Sequence, residues 1–247
     1  MRTTLITAHS GCMESAPNSR EHIAAALAWG ADLVELDIRL SRDGRVVLSH
    51  NDALELPGGR SLVIADHDWA ELSLAPGPAG PGLLDLEEAF RLLRGSDRVL
   101  NLDAKEPEAA IAAAGLAGSR GFGDSLLFSG LGEAEARVVR ARLPGFRCLL
   151  NADLILPATG YGQEEIREAC RVVAETGCSG INLDWRSASP ALLAYARLRC
   201  VPVLLWTIDA EEDLRKALAL RPWSITTNRP DRAASLIAAA NAQEGRA

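Results

Sequence analysis

The residues best suited to chemistry lie between positions 33 and 52, where Glu35, Asp37 and Arg39 stand at every second position and His50 follows. On a β-strand, alternate side chains leave the same face, so two carboxylates and a guanidinium would project together. Ordinary core does not hold such a set, because burying charge is costly. Asp43-Gly44 is a turn signal. Val46 to Leu48 then reads as a short return strand that carries His50 back toward the carboxylates. Farther along, Asn101, Asp103 and Lys105 repeat the period of two. Two such strands side by side aim Glu35, Asp37 and Asp103 at one volume. Carboxylates a few ångströms apart raise one another's pKa, and one hard divalent cation relieves them. Oxygen ligands alone favour Mg²⁺ or Ca²⁺ over zinc. Arg39 and Lys105 at the rim suit an anion, and His9 and His50 suit proton transfer near neutral pH. A cation, two basic side chains and two proton carriers together describe phosphodiester cleavage.

The elements that must position these residues follow from the hydrophobic rhythm. Strand patterns over 4–8, 33–40, 99–103, 125–128, 147–150, 180–183, 201–206 and 224–227 alternate with helical ones. Such alternation implies parallel pairing through right-handed crossovers. Eight repeats predict an α/β fold closed as a TIM-type (β/α)₈ barrel, one domain over residues 1–247. No glycine fingerprint follows the first strand, which argues against an open dinucleotide-binding sheet. In a barrel the site lies at the C-terminal strand ends. There the polar residues His9, Asn101, Asn151, Asn182, Asp184, Trp206 and Thr226 to Asn228 collect. Trp206 reads as an apolar wall for the substrate. Residues 51–84 form an insertion after strand 2, Gly- and Pro-rich without a strong apolar face. They are expected to be a small, mobile cap over the barrel mouth.

Composition narrows the partners. Net charge is −7 across 247 residues with no basic cluster, which argues against nucleic acid. No apolar run reaches membrane-span length, so no stable membrane insertion is expected. No secretory signal is read at the N-terminus. The five cysteines lack zinc spacing and read as reduced thiols of a cytoplasmic protein. His22 in a helix and His67 in a polar loop are expected at the surface.

Several segments resemble the glycerophosphodiester phosphodiesterase family. They are Ala8-His9-Ser10-Gly11, Ala16-Pro17-Asn18-Ser19, residues 30–37, Ser41-Arg42-Asp43-Gly44 and Leu48-Ser49-His50-Asn51-Asp52. Residues 100–105, 205–209 and 225–231 continue the match, so the resemblance spans nearly the whole chain. It implies a metal-dependent barrel enzyme that hydrolyses glycerophosphodiesters to glycerol 3-phosphate and an alcohol, a step of lipid metabolism. By resemblance His9 and His50 are the acid/base pair, Glu35, Asp37 and Asp103 the metal ligands, and Lys105 a phosphate-site cation. The alternatives are a phospholipase-type lyase that leaves a cyclic phosphate, or a non-catalytic barrel that binds the diester or the metal. Three departures stand out. Ser10 replaces the family's arginine, Pro17-Asn18-Ser19 lacks its acidic residue, and Asp103 replaces a glutamate. Arg39 is expected to take over the phosphate contact of the missing arginine.

Overall fold

The structure is a computed structural model that describes residues 4–77, 80–154, 156 and 162–244. Its centre is a ring of eight parallel strands. These are β1 (Leu5–Ala8), β2 (Leu33–Leu40), β3 (Val99–Ala104), β4 (Leu126–Leu131), β5 (Arg147–Asn151), β6 (Gly180–Asp184), β7 (Val203–Trp206) and β8 (Ser224–Thr227). Each pairs in parallel with the next, and β1 closes the ring by pairing with both β2 and β8. Closure leaves no open edge along the barrel wall. Around it run α1 (Arg20–Ala28), α2 (Leu86–Leu93), α3 (Pro107–Arg120), α4 (Glu133–Arg142), α5 (Gln163–Thr176), α6 (Pro190–Leu198), α7 (Glu211–Ala219) and α8 (Pro230–Glu244). The predicted TIM-type barrel is the observed fold.

Local chemistry sets these boundaries. Ser19, Asp85 and Ser189 cap α1, α2 and α6 by accepting from backbone N–H groups three residues on. Pro107 and Pro190 open α3 and α6, where a missing N–H costs nothing. The strands are buried on both faces. Outward-facing Val34, Leu36 and Ile38 pack under the helices in the main core. Five alanines of α3 (109, 110, 113, 114 and 117) are buried in that layer, and their small side chains let the helix approach closely. Inward-facing Leu33, Leu127, Leu149 and Leu204 form a separate apolar cluster within the ring. One step further along their strands, the inward residues become Glu35, Ser129, Asn151 and Trp206. The barrel thus has an apolar plug below and a polar layer above it.

After β2 the chain turns at Gly44 (φ +78°) and returns as strand Val46–Leu48, antiparallel to β2. The insertion that follows contains a hairpin, Ala53–Leu56 with Arg60–Val63, and a helical turn, Trp69–Leu72. It has a small core of its own, in which Leu54, Ile64, Leu72 and Ala75 pack on Val47. The expected lack of an apolar face is corrected here. Those residues come from separate short elements at irregular spacing, so no single period reveals them. The insertion is tied to the β2 turn by Arg42 on Asp68 (2.8 Å) and by the Trp69 N–H on Asp43 (3.1 Å).

Candidate active site

Glu35 and Asp37 on β2 lie level with Asn101 and Asp103 on β3 in the parallel register. Carboxylate oxygens of Glu35, Asp37 and Asp103 come within 4.8 Å of one another. Lys105 Nζ bridges two of them, at 2.7 Å from Asp37 Oδ1 and 2.5 Å from Asp103 Oδ2. Among the described residues Lys105 makes no such ion pair with Glu35; His9 Nε2 is 4.0 Å from Glu35 Oε1. Burial pushes the Glu35 carboxyl well above the usual range, and the charges of Asp103 and Asp37 add to this against the pull of Lys105. Burial also raises Asp103. For Asp37 burial acts in the same direction, but Lys105, Asn18 and His50 outweigh it and hold the group below its ordinary value. Lys105 is pulled down by burial and held up more strongly by its two carboxylates, so it keeps its proton.

One ammonium does not balance three carboxylates. Asp103 Oδ1 is buried with no hydrogen-bond partner. An all-oxygen trio with an orphaned acceptor fits a hard divalent cation. Glu35, Asp37 and Asp103 would hold it, as the sequence predicts.

The loop between β1 and α1 explains two of the departures. Ser10 Oγ accepts from Asn18 N–H (3.1 Å), which fixes the short loop. Asn18 then clasps Asp37 twice. Its Nδ2 donates to Oδ2, and its Oδ1 accepts from the Asp37 N–H, both at 2.9 Å. The third departure is accommodated by Gly130 on β4. It sits at φ +84°, and a Cβ there would collide with Asp103 Oδ1 and the Ala104 carbonyl. At Gly130 β4 therefore approaches Asp103 with no Cβ in the way.

His22 is not at the surface: it is fully buried. Its Nδ1 accepts from Gly11 N–H (3.2 Å), and its Nε2 faces the Glu35 carbonyl (3.0 Å). A backbone N–H can only donate and a carbonyl can only accept, which fixes the neutral tautomer. Burial lowers its pKa to about 4. The signal was present in the helix pattern, since His22 shares the buried face of α1 with Ile23 and Ala26. His67 is partly exposed and faces Glu71 at 3.2 Å.

His9 follows β1, and its Nδ1 lies 2.9 Å from Asn228 Oδ1. Asn228 Nδ2 and backbone N–H both donate to Asp209, at 2.9 and 2.7 Å. A carboxylate accepts only, so the amide nitrogen must face Asp209 and the amide oxygen must face His9. His9 therefore donates from Nδ1, and its Nε2 is the free lone pair on the side of Glu35. Sequence reading placed Asp209 and Asn228 in matching segments without seeing this relay, which joins two different strand ends.

His50 reaches the cleft from the return strand. Arg39 Nε and a terminal nitrogen donate to the His50 carbonyl at 3.2 and 3.0 Å, and the other nitrogen pairs with Glu106 at 3.3 Å. Glu106 also accepts from Leu40 N–H at 2.8 Å.

The cleft itself is about 300 Å³. His9, His50, Glu35, Asp37, Asp103, Lys105 and Trp206 line it together with Asn101, Asn151, Asn182 and Thr226. Seven of the eight predicted site residues are thus gathered in one place; Arg39 is not among the lining residues and stands behind His50.

Known proteins are similar to this chain in sequence and fold. A protein named glycerophosphodiester phosphodiesterase from Caldanaerobacter subterraneus subsp. tengcongensis is 22% identical over 252 residues, covering 95% of this chain and 98% of that one. A Silicibacter pomeroyi structure superposes with a TM-score of 0.83 at 19% identity, covering 97% and 95%. An Oleispira antarctica phosphodiesterase in complex with sn-glycerol-3-phosphate gives 0.79 at 22%, covering 95% and 97%. These likenesses show the shared fold. The family model for the glycerophosphoryl diester phosphodiesterases matches residues 9–115, the stretch that carries both histidines, the three acidic residues and Lys105. On that stretch the chain is similar to the glycerophosphoryl diester phosphodiesterase family.

Proposed function

We propose that the protein is a divalent-metal-dependent phosphodiesterase that hydrolyses glycerophosphodiesters to glycerol 3-phosphate and an alcohol. The observation that carries this reading is the joint lining of one cleft by three carboxylates, a protonated lysine and two histidines. Bound at Glu35, Asp37 and Asp103, Mg²⁺ or Ca²⁺ supplies charge stabilisation to the phosphoryl oxygens. Lys105 adds a second positive charge on the same side. His9, with Nδ1–H held by Asn228, takes a proton from the attacking water at Nε2. A new phosphorus–oxygen bond forms as the bond to the alcohol breaks. His50, more exposed and nearer the mouth, gives the leaving alkoxide its proton.

Arg39 serves this reaction by holding the His50 backbone, and the phosphate contact falls to Lys105, beside the cation that Glu35, Asp37 and Asp103 would hold. Trp206 forms one wall against the glycerol end. Residues 51–84 act as the cover through their ties to the β2 turn, which suits a small soluble diester. The relative's name and the product bound to the Oleispira antarctica structure support the choice of glycerol 3-phosphate.

The test is release of glycerol 3-phosphate from a panel of glycerophosphodiesters, with Mg²⁺ or Ca²⁺ and with a chelator. Phosphorus NMR follows the products. Metal-dependent release is expected. A cyclic phosphate that persists would make the enzyme a lyase. No turnover of any diester by metal-loaded protein would leave a binding barrel.

A further inference from the structure

The end of the barrel opposite the cleft carries a pair of cysteines that the cleft chemistry does not use. Cys148 on β5 and Cys178 in the turn between α5 and β6 are both free thiols. The parallel register pairs Leu149 with Gly180, and the Ser179 N–H donates to the Cys148 carbonyl at 2.7 Å. Cys178 is therefore one step out of line with Cys148. A strand spacing of about 4.8 Å and a rise of about 3.3 Å put their Cα atoms about 6 Å apart, a separation that a disulfide spans. The two thiols meet in a side-chain hydrogen bond. Cys148 is 1% exposed, whereas Cys178 is half-buried between exposed Gly177 and Ser179.

A fixed positive charge lies beside the pair. Arg140 on α4 donates through its two terminal nitrogens to the carbonyls of Leu143, Pro144 and Phe146. These neutral partners hold the guanidinium in place without cancelling its charge. A Cβ on Gly177 would lie 3.6 Å from Arg140 Nε, which sets the guanidinium against the turn that carries Cys178. That Nε is buried without a hydrogen-bond partner. The hydrogen bond with Cys148, helped by Thr176, Arg140 and Arg137, holds the Cys178 thiol down at about 7 against burial. The same hydrogen bond, together with burial, pushes Cys148 up, so Cys148 keeps its proton. Cys12, with burial alone acting on it, is pushed up to about 11. A reachable thiolate beside a protonated second thiol and a guanidinium is the setting of reactive cysteines rather than structural ones.

We infer that Cys178 and Cys148 form a dithiol site that reacts with hydroperoxides, with Cys178 as the attacking thiolate and Cys148 as the resolving thiol. The Cys178 sulfur attacks one oxygen of the peroxide. A sulfur–oxygen bond forms as the oxygen–oxygen bond breaks, and the departing oxygen takes a proton from water to leave as water or an alcohol. The Cys148 sulfur then attacks the Cys178 sulfenic acid. A sulfur–sulfur bond forms, and hydroxide leaves with the Cys148 proton as water. Two electrons pass from the thiols to the peroxide, and an external dithiol reverses the change. The disulfide ties β5 to the start of β6, away from the acidic cluster, so the site stands independently of the phosphodiesterase reading.

The test treats the fully reduced protein with one equivalent of hydrogen peroxide near neutral pH and maps its cysteines by peptide mass spectrometry under non-reducing conditions. The expected product has lost two hydrogens, carries a cross-link between Cys148 and Cys178, and returns to its starting mass with dithiothreitol. Cys178 should be consumed at least about fivefold faster than Cys200, the exposed cysteine that serves as internal reference. In Cys148→Ser the reaction should stop at the Cys178 sulfenic acid, which dimedone traps. Consumption of Cys178 no faster than that of Cys200 overturns the inference, as does a disulfide between any other pair, and these readings need no variant to fold. Absence of a dimedone adduct at Cys178 in Cys148→Ser, with the circular dichroism of the variant unchanged, overturns it as well.

Discussion

At the scale of single residues, the site is an exercise in fixing protons. His9 has one nitrogen whose role is dictated by a chain that ends on Asp209, because Asn228 cannot turn its amide without facing oxygen to carboxylate. Asp209→Asn removes that dictate, since the new amide can accept or donate. The expected result is a fall in kcat of about 10² with KM nearly unchanged, the usual worth of a positioned base. Steady-state kinetics on a diester reads this directly, and a KM effect alone would refute the relay. Arg39 makes the complementary case. Its guanidinium grips the His50 carbonyl and Glu106 rather than lining the cleft. Arg39→Ala should lower kcat about tenfold and leave KM for the diester within about twofold. A large rise in KM would instead return Arg39 to the phosphate contact that the sequence suggested.

At the scale of elements, β4 and α1 show how the barrel shapes its site from outside the ligand set. β4 presents Gly130 where Asp103 needs room. Gly130→Ala adds a Cβ at positive φ and against a carboxylate, so a loss of about 1–3 kcal/mol is expected in urea unfolding. Metal affinity measured by titration should weaken in the same variant. α1 delivers His22 beneath Glu35, neutral and bonded at both nitrogens. The unfolded chain takes up the His22 proton near pH 6.5, whereas the folded protein resists it to about 4. Stability therefore falls as pH drops between those values and levels off below, by up to about 1.4 kcal/mol per pH unit. Chemical unfolding at pH 7 and pH 4.5, with chelator present, should show His22→Gln losing about 2 kcal/mol less than the wild type over that interval. Equal losses would mean that His22 does not carry the dependence. Neither feature belongs to a strand's period-two pattern. Gly130 matters only once β3 lies beside β4. His22 shares the buried face of α1, but its two partners come from the Gly11 loop and from β2, which the helix pattern does not name.

At the scale of the molecule, the closed ring makes residues that are distant in sequence into neighbours. What was legible in the chain was whatever repeats: the strand–helix alternation, and Glu35, Asp37, Asp103 and Lys105 on alternate positions. The relay from Asp209 to His9 was not legible, because it depends on which strands close against which. The insertion's small core escaped for the same reason. Closure also concentrates negative charge. Three carboxylates with one lysine among them repel one another in the metal-free barrel, so part of the fold's stability waits on the cation. A ligand that binds only the folded state at a hundredfold excess over its Kd adds about 2.7 kcal/mol. For a chain of this size that corresponds to a rise in Tm of roughly 5–10 °C. Thermal unfolding with Mg²⁺ or Ca²⁺ against chelator should show that rise. In Asp103→Asn the metal-free protein should melt at or above the wild type, because one repelling charge is gone, while the metal-dependent rise shrinks by more than half. A rise that survives intact in Asp103→Asn would move the cation away from β3 and leave Glu35 and Asp37 to hold it without the third carboxylate.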